Sequence, residues 1–316
     1  MKKDFMWAVL VHLGNNMWNE EGNTTGRETN PEAVASPVLR FDRKLWDEYM
    51  TYMKLKGVNT VIIDVAEAMI YDTHPELAVK GSWTKEEMRA EVIRLQNMGF
   101  EVVPKLNFSA GHDVWLKEYS FMVSSSIYRQ VCADLIHEVC EVFKPKYFHL
   151  GMDDETWAIQ KNYHYTVIRQ GDVYWRDFYH LVDCVEKENA RPWIWSDRMW
   201  DHMDEFLEKM PKSVLQSNWY YSIDLNHPKD EKRAHRIQCF EMLDKHGFDQ
   251  VPTGSNWSYY ENMELLAQYC AERINPERLL GFMQTPWLPF IDNEKCRNAL
   301  FDGADALEET MQLFRK

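Results

Sequence analysis

Three carboxylates stand side by side at Asp153, Asp154 and Glu155, closing the segment YFHLGMDDETW (147–157), with no basic residue among them. Crowding of this kind raises the pKa of at least one carboxyl, because a neighbouring negative charge disfavours ionisation. A carboxyl kept protonated near neutral pH can donate a proton, and an ionised neighbour can orient a substrate. Ahead of the acids, Phe148, Leu150 and Met152 alternate with Tyr147, His149 and Gly151, the period of a strand. By that register His149, Gly151 and Asp153 share one face. The trio therefore stands at a strand's carboxyl end.

The chain repeats that strand and follows each copy with a helix. Strand-like runs occur at 5–14, 58–65, 100–108, 146–151, 191–197, 213–221, 248–257 and 279–287. Amphipathic helical stretches fall at 42–57, 84–99, 125–143, 172–189, 201–210, 231–246, 261–273 and 293–314. The first two end at a glycine, and Thr84 with Glu87 has the spacing of a capping box. Eight alternating pairs predict parallel βαβ units closed into a barrel. An open doubly wound sheet would want a glycine-rich first turn, which VHLGNNMW lacks. The expected fold is α/β, a single (β/α)8 TIM barrel over residues 1–316.

In such barrels the chemistry sits at the carboxyl ends of the strands. Those ends carry Asn15 and Trp18, Glu67, Asn107 with His112 and Asp113, and the acidic trio. Later strands add Trp195 and Asp197, Trp219 to Tyr221, Asn256 and Trp257, then Gln284 and Trp287. Tryptophans recurring at the tips of the last four strands predict an aromatic cup for a sugar, whose C–H faces stack and whose hydroxyls meet acids and amides. The 36 basic and 50 acidic residues leave a formal charge of −14, a field that repels nucleic acid and anionic membrane surfaces. No apolar run approaches the length that spans a bilayer, and the N-terminus has no cleavage site, so a cytoplasmic protein is expected. The six cysteines form no C-x-x-C pair, as in a reducing compartment. Homo-oligomerisation is left open. The polar stretch 18–41 suits a lid or a disordered loop.

The segment from Met53 to His112 resembles the catalytic barrel of family-20 glycoside hydrolases, the β-N-acetylhexosaminidases. The family's strand-three V-x-P-E-x-D-x-P-G-H is met by Val102, Val103, Pro104, Lys105, Leu106, Asn107 and then Ala110, Gly111, His112. Its strand-four H-x-G-x-D-E is met by His149, Gly151 and an acidic pair, and PWIWSD, VLQSNWYY and GFMQTPW fall where the family places its tryptophans. The family's strand-one D-x-x-R is absent, Lys105 and Asn107 replace strand-three acids, and the last strand ends TPWLPF instead of W-x-E.

The resemblance implies a glycoside hydrolase acting on terminal β-linked N-acetylhexosamine, with a carbohydrate as its partner. In that scheme an aspartate orients the sugar's 2-acetamide, the acetamide oxygen attacks the anomeric carbon, and the adjacent acid protonates the leaving oxygen. Register favours Asp153 and Asp154 as the pair. Residue type favours Asp154 as orienter and Glu155, with its longer arm, as acid, and that is the assignment expected. Binding is assigned to His112, Asn107, Trp195, Trp219, Trp257 and Trp287, with Tyr220 or Tyr221 donating to the acetamide oxygen. His149 is expected to brace Asp153 or strand three, and Glu67 and Asp197 to bind hydroxyls or cap helices. Alternatives are a non-catalytic sugar-binding barrel and a hexosidase in which Glu67 or Asp197 is the second carboxylate. A metal-dependent hydrolase or isomerase would draw on His112, His149, Asp153 and Glu155, but no H-x-H or H-E-x-x-H spacing appears. Neither metal nor cofactor is expected.

Overall fold

A computed structural model describes residues 5–314. Eight strands, β1 (Met6–His12), β2 (Thr60–Asp64), β3 (Glu101–Lys105), β4 (Tyr147–His149), β5 (Arg191–Trp195), β6 (Leu215–Ser217), β7 (Thr253–Gly254) and β8 (Gly281–Gln284), all pair in parallel. The helices are α1 (Arg43–Leu55), α2 (Lys85–Asn97), α3 (Ser126–Phe143), α4 (Trp157–Gln160), α5 (Gly171–Lys187), α6 (Met203–Lys209), α7 (Glu231–Lys245), α8 (Asn262–Arg273) and α9 (Glu294–Phe314). The sheet order β6-β5-β4-β3-β2-β1-β8-β7 leaves only β6 and β7 to be joined. Bridges Gln216 to Gln250 and Trp219 to Thr253 close that seam, giving the expected (β/α)8 barrel.

Each expected strand and helix is present, with strands cut shorter at their ends. Pro252 has no N–H to donate, and β7 shrinks to two residues after it. Gly151, at φ +72°, turns the chain out of the sheet just beyond β4. The additional helix, α4, is a single turn inside the β4–α5 loop. Side chains start the main helices: Asp42 accepts from the Leu45 N–H at 2.8 Å, and Thr84 and Glu87 complete their capping box. A cap of this kind contributes about 1 kcal/mol.

Period-two alternation separates two cores. Met6, Ala8, Leu10, Ile62, Val103, Trp193, Leu215 and Met283 point into the barrel, while Trp7, Val9, Val11, Val61 and Ile63 face the helices. The inner layer nearest the carboxyl ends is charged. Lys105, fully buried, ion-pairs with Asp64, and His12 Nδ1 lies 3.6 Å from the same carboxylate. Burial alone would raise the Asp64 carboxyl, but the Lys105 ammonium and His12 together outweigh it and hold the carboxyl below its ordinary range. Lys105 thus answers an acid on the neighbouring strand.

Stretch 18–41 is pinned by asparagines. Asn15 donates to the Glu32 carbonyl at 2.6 Å, Asn16 to Ser36 at 2.8 Å, and Asn19 to Asn23 and Thr25 at 3.0 Å. Side chains here stand in for the backbone partners that a strand or helix would give.

Candidate active site

A cavity of about 120 Å³ opens at the carboxyl ends of the strands, lined by Trp18, His112, Asp153, Asp154, Trp195, Trp219, Tyr221 and Trp287. Two acids form one side and aromatic rings the rest. Tyr221 stacks on Trp219 with centroids 4.9 Å apart, and Trp195 packs against Trp287 at 6.0 Å. Burial pushes the Tyr221 phenol well up, so it stays a neutral donor.

The chain reaches this geometry through backbone that few residues adopt. Met152 and Asp154 take φ of 76° and 55°, on either side of Asp153, and Trp287 takes 55°. Such conformations cost on the order of 1–3 kcal/mol each and need their surroundings to hold them. Here the Asp154 N–H donates to Asp197 Oδ2 at 2.8 Å, and Ser109 Oγ donates to the Asp153 carbonyl. Asn107 Oδ1 accepts from the Met152 N–H at 3.2 Å and the Ser109 N–H at 3.1 Å. Gly151 gives Asn107 its room: a Cβ at 151 would lie 2.0 Å from Asn107 Oδ1.

The carboxyls of Asp153 and Asp154 are pushed in opposite directions from the ordinary aspartate range. Burial works against an ionised Asp153, but His112 Nδ1 stands 3.1 Å from its Oδ1 and Asn107 Nδ2 donates to the same oxygen at 2.8 Å. With Lys105 behind them, these partners hold the Asp153 carboxyl well below the usual range. The same pairing overcomes the burial of His112 and raises its pKa. Asp154 is pushed up to about 6, first by burial and then by the charge of Asp153, which together exceed the pull of His112. Behind them, burial and the two acids push Asp197 well above a normal aspartate.

Glu155 does not join this pair. The turn closed by the Thr156 N–H on the Asp154 carbonyl (2.7 Å) carries it away from the cup. Its carboxylate receives Arg169 Nη2 at 2.7 Å and the Ala110 N–H at 2.9 Å. Arg169, also 3.6 Å from Asp177, is the residue that sequence reading passed over, because TVIRQG carries no motif to mark it. Trp18 lines the cup as well, signalled only by its place just past strand one.

Other expected residues divide between the cup and its surroundings. His112, Trp195, Trp219, Tyr221 and Trp287 line it, and Asn107 supports Asp153 from below. Trp257 is 49% exposed and outside the lining, and Tyr220 turns away to donate to Asp224 at 2.7 Å. His149 ties β4 to the end of β3 through its backbone, its carbonyl accepting from the Leu106 N–H at 3.0 Å, while its side chain turns elsewhere. Its Nδ1 accepts from the Gly151 N–H at 3.1 Å, its ring lies between Trp193 and Trp195, and burial holds its pKa well down. Glu67 lies outside the cup, where it accepts from the Asn15 N–H at 2.8 Å and the Asn16 N–H at 3.1 Å. Asp197 is occupied by the Asp154 N–H and, at 3.4 Å, by Trp219 Nε1. His112, Asp153 and Asp154 each place a donor atom within 4.8 Å of the others, the one such grouping among the described residues. A histidine and two carboxylates are ligand types that suit zinc or manganese.

The same architecture occurs in solved family-20 glycoside hydrolases. Against the exo-β-N-acetylglucosaminidase of Vibrio harveyi, in complex with N-acetylglucosamine, the TM-score is 0.63 at 12% identity, covering 99% of this chain and 57% of that one. For the N-acetyl-β-hexosaminidase of Streptomyces plicatus the TM-score is 0.61 at 12% identity, covering 95% and 64%. For Dispersin B it is 0.58 at 14% identity, covering 94% and 98%. The chain thus spans under two thirds of the first two enzymes and nearly all of the third. No protein-family model and no curated protein matches the chain in sequence. What is shared at this identity is the fold: a divergent barrel of the family-20 type.

Proposed function

We propose that the protein is a glycoside hydrolase that removes terminal β-linked N-acetylhexosamine with help from the substrate's own acetamide. One observation carries this reading: two adjacent aspartates in an aromatic cup, one held ionised and the other pushed up to about 6. In the proposed reaction Asp153, fixed by His112 and Asn107, accepts the acetamide N–H and orients its carbonyl. Tyr221 donates to that carbonyl oxygen as it attacks the anomeric carbon. Asp154 gives its proton to the leaving oxygen and then takes one from the water that opens the intermediate. The acid role thereby moves from Glu155, the residue expected from sequence, to Asp154. The geometry that supports the move is the commitment of Glu155 to Arg169 and two backbone N–H groups.

Two enzyme carboxylates are a poorer account, since Glu67 and Asp197 are both engaged by backbone N–H groups. A specific feature favours a second reading, in which the cup binds sugar without cleaving it. Aspartate at 154 is one methylene shorter than the glutamate that ends the H-x-G-x-D-E motif. The deciding experiment is hydrolysis of 4-nitrophenyl glycosides of N-acetylglucosamine, N-acetylgalactosamine, glucose, galactose and mannose, with and without chelator. Cleavage confined to 2-acetamido sugars, insensitive to chelator and lost in Asp153→Asn and Asp154→Asn, is the expected result. Cleavage of plain hexosides would sink substrate assistance. A silent panel with N-acetylglucosamine still quenching tryptophan fluorescence would establish the binding-only reading.

A further inference from the structure

Beside the cup lies a second recess, of about 280 Å³, and Asp154 lines both. Its chemistry differs from that of the cup and from that of the molecule. In a chain of net charge −14, this recess is walled by Arg169, Arg198, Lys232 and Arg236. Arg169 is paired with Glu155, and the lining carboxyl of Asp197, pushed above its ordinary range by burial, is taken up by the Asp154 N–H. Lys232 and Arg236, together with Arg198, which lies 3.6 Å from Glu205, form a basic wall faced by Asp154 and the exposed Asp201.

Two of these cations are built in. The Arg198 side chain is only 8% exposed and lies 3.7 Å over the Tyr174 ring, with Nε lacking any hydrogen-bond partner. Arg236 lies 3.9 Å over Trp200, and its buried Nε is likewise unpartnered. A buried guanidinium N–H left without an acceptor is costly, and an oxyanion would satisfy it in the paired geometry that guanidinium favours. Lys232 stands one turn before Arg236 on α7, on the same face. An aromatic path joins the two cavities: Trp219 in the cup packs on Trp200 in the recess, centroids 4.4 Å apart.

We infer that this recess is a subsite for an oxyanion carried on the leaving-group side of the substrate, a carboxylate or a sulfate on the sugar unit next to the cleaved bond. The inference rests on the proposed reading of Asp154 as the acid. A proton donor stands at the glycosidic oxygen, so a recess reached past Asp154 lies toward the unit that departs. The ring of that unit would stack along Trp219 and Trp200 while its anion meets Arg236, Lys232 and Arg198.

The test uses thio-linked disaccharides, which are not cleaved, so binding is read apart from catalysis. Each has N-acetylglucosamine β-linked to a reducing unit that is neutral, a uronic acid, or 6-O-sulfated. Calorimetric titration at low salt should show one or both anionic ligands binding at least tenfold tighter than the neutral one, a margin that shrinks as salt rises. Arg236→Gln and Lys232→Gln should each bring the ratio of affinities toward one. The exposed Lys232 gives a variant with little bearing on folding. Equal affinities in the wild type, a ratio untouched by both substitutions, or no binding of any of the three would overturn the subsite. An anionic preference alongside a silent hydrolysis panel would retain the subsite and remove the hydrolase. Hydrolysis of neutral N-acetylhexosaminides without anionic preference would do the reverse.

Discussion

Asp153 and Asp154 differ by no atom, and only their neighbours separate them. His112 and Asn107 supply Asp153 with a cation and an N–H, whereas Asp154 meets burial and the charge of its twin. The proposed mechanism needs Asp154 protonated and Asp153 ionised, which fixes the sign of the pH dependence. As pH rises through about 6 the acid is lost, so kcat/KM should fall roughly tenfold per pH unit above that point. On the acid side the fall should begin below the ordinary aspartate range, because Asp153 resists protonation. Asp154→Asn should lower kcat by about 10²–10⁴-fold and remove the alkaline limb altogether. Glu155→Gln tests the opposite assignment. It breaks a pair in which the side chains are 6% and 1% exposed, leaving Arg169 with the more distant Asp177 carboxylate and the Phe108 carbonyl. Its expected signature is a stability loss of about 3 kcal/mol in denaturant melts, with the pH profile unchanged in shape. A profile whose alkaline limb vanished in Glu155→Gln would return the acid role to that residue.

The β4–α5 junction is where one element's geometry decides the chemistry. Gly151→Ala places a Cβ against Asn107 at a backbone angle that disfavours any side chain. It should cost roughly 1–3 kcal/mol. The displaced Asn107 would also release Asp153, so kcat should drop along with Tm. A variant that lost stability but kept kcat would show that Asn107 does not set the state of Asp153. This junction also marks the limit of what the sequence discloses. The strands and helices follow from periodicity and caps, and the match of each run to an element reflects how strongly alternation dictates a buried face. Positive φ at Met152 and Asp154 leaves no comparable trace, since neither residue type advertises it. Register correctly turned Asp153 inward, but which of its neighbours would share the cup depended on that kink. The preference for glutamate over aspartate then assigned the acid to Glu155, whose carboxylate pairs with Arg169, where the proposed reading assigns it to Asp154. Arg169 escaped for a related reason: its partners arrive from the loops after β3 and β4 and from α5, through the tertiary fold alone. Lys105 read as a departure from a motif until Asp64, across the sheet, supplied the charge that it balances.

At the scale of the whole molecule, four buried carboxyls around the strand tips are pushed upward, and this sets how stability varies with pH. Glu67 rises to about 7 through burial, against the hydrogen bonds that hold loop 15–41 to the barrel. Asp154 rises to about 6, and Asp113 and Asp197 go well above the normal range, all chiefly through burial. The native state thus keeps protons that the unfolded chain releases above pH 4 to 5, so these groups make stability fall as pH climbs toward 7. Asp64 and Asp153, held down by cations, act in the other direction and lose their contribution as pH drops below about 4. The net charge of −14 adds self-repulsion on the alkaline side. Together these place the stability maximum near pH 5, with a decline toward neutrality to which Glu67 alone contributes roughly 2 kcal/mol. Urea melts from pH 4.5 to 8 measure the curve. Glu67→Gln, which keeps an acceptor for the Asn15 and Asn16 N–H groups, should flatten it between pH 5 and 7. An unchanged slope in that variant would mean that the two backbone donors keep Glu67 ionised throughout, and the decline would then have to come from the acids around the cup.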